Sequence, residues 1–106
     1  NDTLFIEGLY AKEIPIASIT QVDSNATVPD IEMRTNGMSL GEINVGHFKT
    51  EEGQDVLLYL HSDDTNVTHI KTKNNEDIYI NFKDSALSVD FPNKLKASFH
   101  QPVKGK

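Results

Sequence analysis

Four histidines, two pairs of adjacent acids and one acidic turn are the places where residue type hints at chemistry. His61 and His69 flank Asp63-Asp64, so a hairpin there would bring two imidazoles and a carboxylate together, the start of a metal site. Zinc needs three or four ligands in tetrahedral geometry at a recognisable spacing, and neither HExxH nor a comparable pattern occurs. Asp63-Asp64-Thr65-Asn66 opens like a calcium loop. Counted from Asp64, however, His69 stands where that loop requires glycine and Asn75 where it requires a bidentate glutamate. Glu51-Glu52 and Glu76-Asp77 read as turn acids, and a solvated turn carboxylate lacks the shifted pKa that general acid–base work needs. No serine sits in a nucleophile elbow and no glycine-rich loop opens a helix. Cysteine is absent, which removes disulfides, thiolate ligands and thiol nucleophiles together. The expectation is no catalytic residue, no cofactor and no metal.

Charge narrows the partners. Sixteen acids stand against ten bases, a formal net charge of −6, whereas nucleic acid and anionic membranes are bound by clustered Lys and Arg. Nucleic acid is therefore excluded. Lys94, Lys96, Lys104 and Lys106 gather near the C-terminus and read as a solvated helix face and tail. The candidate interaction residues are Lys12, Lys71, Lys73 and Tyr79, the last expected to point outward from its strand. The Val56–Leu60 run carries more apolar surface than one strand face can bury, so it is expected to be covered on both sides or to meet a partner. No apolar run is long enough to span a bilayer. The chain opens at Asn1-Asp2 without Met, which suggests a processed segment whose membrane anchor or signal lay upstream.

The elements that must position these residues are mostly strands. At 106 residues, with 37% hydrophobic and 25% charged residues, the chain suits a single domain with one core. The apolar period is two. Leu4–Tyr10 and Ile14–Val22 read as the first two strands, followed by a polar loop over Asp23–Thr27. Ile31–Thr35 leads to Asn36-Gly37, the strongest short hairpin signal. On the return strand the apolar parity changes at Gly41 and again at Gly46, as bulges or sharp bends would require. Val56–Leu60, Val67–Lys73 and Ile78–Phe82 follow between polar turns, with Ile78, Ile80 and Phe82 inward and Tyr79 and Asn81 outward. Phe91, Leu95 and Phe99 then recur at helical spacing, with Asp90 as N-cap and Pro92 in the first turn. The expected fold is mainly β: about seven antiparallel strands within about residues 4–83, bent into a partly open barrel or sandwich. A helix over about residues 90–100 closes it, and residues 101–106 form a polar tail.

That order of strands and helix resembles PH-like (pleckstrin-homology-like) domains. Arg34-Thr35-Asn36-Gly37, Gly41, Gly46-His47-Phe48, Leu57-Leu58-Tyr59 and Ile78-Tyr79-Ile80 leading to Asp84 are similar to small bacterial PH domains of membrane-associated proteins. The resemblance implies the fold, no enzymatic activity, and frequent linkage to upstream transmembrane segments. PH domains that bind phosphoinositides use a basic pattern around the first strand-to-strand loop, and here that loop is Ala11-Lys12-Glu13, one base beside one acid. The expectation is a non-catalytic interaction or assembly module that contacts protein or a second copy of itself, in a membrane-linked or envelope protein. The alternative is a small-ligand or lipid-headgroup module using the mouth near the first loop, which carries Lys12, and Lys71 or Lys73.

Overall fold

The computed structural model describes residues 2–99, the side chain of Phe99 excepted. The expectations for Phe99, His100 and the tail 101–106 lie outside the described residues. Among the described residues there are eight strands and one helix. β1 (Thr3–Ile6) and β2 (Lys12–Pro15) form an antiparallel two-stranded sheet. β3 (Ile19–Asp23), β4 (Ile31–Leu40), β5 (Ile43–Thr50), β6 (Asp55–Leu60), β7 (Thr68–Thr72) and β8 (Asp77–Ile80) form a six-stranded sheet. Its order is β3-β7-β8-β6-β5-β4, and α1 (Ser85–Phe99) follows.

The mainly β fold with a closing helix agrees with the sequence reading, and the departures have local causes. The first strand stops at Ile6 because Gly8 takes φ +117° and turns the chain. The second strand is split by a 3₁₀ turn at Ile16–Ser18, in which Ser18 Oγ donates to the Pro15 carbonyl. Asn36-Gly37 makes no hairpin; β4 runs through it for ten residues, and the chain reverses after Leu40, where Gly41 has φ +59°. Gly37 is required instead for a close approach. A Cβ on Gly46, which has φ +115°, would lie 2.6 Å from the Gly37 Cα and 2.7 Å from the Asn36 carbonyl oxygen. Register slips between Ile31 and Met33 and between Arg34 and Asn36 mark two bulges in β4, so the bending foreshadowed at Gly46 is shared with the partner strand. The sheet ends at β3 and β4 and is not closed into a barrel, and β8 enters parallel to β6.

β8 lies inside the sheet, and all four of its residues are buried. One sheet face carries Val22, Val45, Leu57, Tyr59, Ile70, Ile78 and Ile80 and packs against Leu95 of α1 together with Ile14 and Ile19. The other face carries Phe48, Val56, Leu58, Val67 and Tyr79, with Ala26, Val28 and Ile31 packed over it. Covering on both faces accounts for the unbroken apolar run in β6. It also corrects two side-chain directions: Tyr79 and Asn81, expected outside, are 8% and 1% exposed.

The helix begins five residues before the expected Asp90, at Ser85. Asp84, not Asp90, caps it, its Oδ1 accepting the Ala86 N–H at 2.8 Å. Pro92 therefore stands well inside the helix. Its ring removes the N–H that would bond the Ser88 carbonyl, and it lies buried between Ser88 and Leu95 on the inner face. The early turns carry no apolar stripe because Leu87 and Val89 face outward and Ser88 faces in. Ser88 Oγ accepts the Phe82 N–H at 2.8 Å and donates to the Phe82 carbonyl, tying the helix start to the end of the sheet.

Candidate functional site

The β7–β8 hairpin holds three of the four sequence-selected residues: Lys71 on β7, Lys73 in the turn and Tyr79 on β8. Strand alternation divides its charges between the two faces. Lys71 stands opposite Asp77, and His69 opposite Tyr79, on the face away from the helix. Glu76 turns the other way and meets Lys12 Nζ at 2.8 Å, with Thr72 Oγ1 donating to its second oxygen. Lys12 and Lys71 are therefore not brought together, and each is paired with a carboxylate. Lys73 contributes its backbone N–H to the Ser18 carbonyl at 2.8 Å, which ties the hairpin tip to the start of β3, while its side chain is exposed.

Asp77 is the residue the sequence reading missed. Read as a solvated turn acid, it is the first residue of β8 and is 5% exposed. Its Oδ1 lies 2.7 Å from His69 Nε2 and 3.2 Å from Lys71 Nζ, and its Oδ2 accepts from Gln54 Nε2 at 3.2 Å. Asp23 approaches the other nitrogen of His69 at 3.7 Å. Tyr79 stacks flat on His69, with ring centroids 4.5 Å apart. The signal lay in the register: once Asn75 takes φ +61° in the turn, Lys71 and Asp77 fall opposite each other.

Electrostatics follow this pairing. The hydrogen bond from Lys12 holds the Glu76 carboxyl below its ordinary range, against a partial opposing effect of burial. Burial pushes the Tyr79 hydroxyl up, with the charges of Asp77 and Asp23 adding to it. Burial does the same for Tyr59, whose hydroxyl donates to the Tyr10 carbonyl. This arrangement ties strands together, its donors converging on the Asp77 carboxylate. Among the described residues no three His, Asp or Glu side chains are grouped to hold a metal, and every buried side-chain N or O has a hydrogen-bond partner. His61 does not oppose His69: its ring lies beside the Asn81 carbonyl.

A cleft of about 550 Å³ opens between residues 25–28 and 62–65, floored by Leu60, Val67 and Asn81. Asn81 serves the fold there, accepting the His61 N–H and donating to the carbonyls of Ser62 and Asp64. Asp64 is held below the ordinary carboxylate range, first by the backbone N–H of Asn66.

The other end of the sheet is built differently. Seven of the ten residues of β4 are exposed, Glu32–Asn36 together with Ser39 and Leu40, and Met33 and Leu40 are 51% and 69% exposed. β5 pairs with one side of β4, and among the described residues no strand pairs with its outer side. Arg34 and Glu42 are exposed and make no ion pair among the described residues. An open row of backbone donors and acceptors of this length is a surface that can take another strand.

Compared with known proteins, residues 1–94 match the sequence profile described as a bacterial PH domain. No curated protein matches the chain. No solved structure matches it.

Proposed function

The chain belongs to the bacterial PH domain family, and from that premise we propose that it is a non-catalytic interaction module that engages protein along the outer edge of β4. The observation that carries this reading is the contrast in what is satisfied. Of the three bases a headgroup site would use, Lys12 is paired with Glu76 and Lys71 with Asp77, while Lys73 is exposed. β4 offers a ten-residue strand whose outer side is unpaired among the described residues, with Met33 and Leu40 exposed. The net charge of −6 opposes an anionic surface as well. We place the module in a membrane-linked or envelope protein, tethered through segments outside this chain. Among the described residues no helix is long and apolar enough to cross a membrane.

Co-sedimentation with vesicles of increasing anionic lipid content tests the choice. The expected result is no binding at any composition. Binding that rises with anionic lipid and collapses with salt would replace this reading with the headgroup one.

A further inference from the structure

We propose that the partner of the β4 edge is a second copy of this chain, paired antiparallel over Asn36–Leu40 about a two-fold axis at Met38. The inference rests on reading β4 as the interaction edge, and it goes further by fixing occupant and register.

The two halves of β4 differ as edges. From Ile31 to Asn36 the strand carries both bulges and the charges of Glu32 and Arg34, features that oppose the addition of another strand. From Asn36 to Leu40 the register with β5 is unbroken, Asn36 facing His47 and Leu40 facing Ile43. This run, Asn-Gly-Met-Ser-Leu, has no charge and no proline. Met38 and Leu40 stand opposite Val45 and Ile43 and so share one face of the sheet, with Leu40 69% exposed.

Charge selects the register. In an antiparallel pair centred on Met38, Asn36 meets Leu40 of the second copy, Gly37 meets Ser39, and Met38 meets itself. Beyond Leu40 the chain turns back through Gly41-Glu42, so this register lays Arg34 of the second copy alongside the hairpin tip that carries Glu42, twice by symmetry. Arg34 is the chain's one arginine, and both it and Glu42 are exposed and without an ion pair among the described residues. The bulge between Arg34 and Asn36 and the turn at Gly41-Glu42 put this pair outside the ladder, so it is a contact of side chains at the strand end and not a ladder pair. The competing register, centred on Met33 with Glu32 against Arg34, would run its ladder through both bulges.

Sedimentation equilibrium of the whole chain, from about 10 μM to 1 mM at low salt, tests this. The wild type is expected to dimerise reversibly and to weaken as salt rises. Arg34→Glu or Glu42→Arg alone should each weaken the dimer by about tenfold or more, since each reversal sets like charges together twice, and the double variant should recover most of the loss. Met38→Lys should abolish association by placing two ammonium groups on the axis. Far-UV circular dichroism checks that each variant is folded, and the charge-swap set decides the matter if Met38→Lys is not. A strict monomer at 1 mM, or single and double charge variants that dimerise alike, overturns the proposal. Hydrogen exchange at the alternate amides of residues 36–40 that point away from β5 separates this failure from that of the broader reading. Protection of these amides that appears only when a different protein's extended segment is added overturns self-pairing and keeps the edge reading. Protection of these same outward amides in the monomer at every concentration overturns both.

Discussion

At its β7–β8 side the six-stranded sheet holds its charges in pairs, whereas at its β4 edge it leaves them to solvent. Asp77 is buried among His69, Lys71 and Gln54, and Glu76 is bound by Lys12. Arg34, Glu32 and Glu42 are exposed at the opposite end. The difference follows from burial. A carboxylate taken out of water must be met by donors, so the charges inside the sheet are matched and serve the fold. A charge at an edge stays hydrated, and its role is to admit or refuse a neighbour. In this molecule the conspicuous polar cluster is buried and internally paired, and the plain strand is the one whose outer side is open among the described residues.

Substitutions graded from large to small effect test that contrast. Gly46→Ala should cost the most, about 3 kcal/mol or more in urea unfolding, because a Cβ at φ +115° would press on the backbone of Asn36 and Gly37. A loss under about 1 kcal/mol would mean that β4 is held loosely. Asp77→Ala should cost about 2 kcal/mol by leaving His69, Lys71 and Gln54 without their shared acceptor. If stability were unchanged, the cluster would be decoration and its claim to a role other than structure would reopen.

Glu76→Gln should cost less than about 1 kcal/mol at pH 7, since the pair with Lys12 is partly exposed and screened. Its pH dependence has a definite sign. The folded pKa of Glu76 is lowered, so its contribution is complete above the ordinary value of 4.5 and is lost as pH falls through the folded value. Wild type and variant should therefore differ by a constant amount above about pH 5 and converge in acid, as thermal melts across pH 2–7 would show. Arg34→Ala should leave stability within about 0.5 kcal/mol. A larger loss would place Arg34 in the fold and remove the contrast between the two ends.

The local pattern of the sequence carried the strand content, the double burial of Val56–Leu60 and the alternation of Ile70 with His69 and Lys71. These follow from apolar periodicity, which is fixed by side-chain transfer from water and needs no knowledge of neighbours. The bend at Gly46 was legible for the same reason, since a parity change in a strand requires an irregular backbone. Of the residues selected as a possible interaction surface, Lys12 and Lys71 are each paired with a carboxylate, and those partners were not visible in the sequence. Lys12 and Glu76 are separated by 64 residues, and only the docking of the two-stranded sheet on the β7–β8 turn brings them together.

Tertiary structure alone decided the rest. Tyr79 alternates out of phase with Ile78 and Ile80, and by period it belongs outside; the segment 24–30 folding over the second face put it inside. Asn36-Gly37 carries the local preference for a turn, yet the facing Gly46 allowed two backbones to touch there and kept the strand extended. Pro92 reads as a first-turn residue, but the helix starts at Ser85, where Ser88 satisfies its hydroxyl on Phe82 and Pro92 fills the inner face. In each case a long-range contact supplied more free energy than the local preference, of order 1 kcal/mol, that it overrode. The open edge of β4 is the same lesson in reverse: its strand character is written in the sequence, and the lack of a strand on its outer side among the described residues is decided by topology.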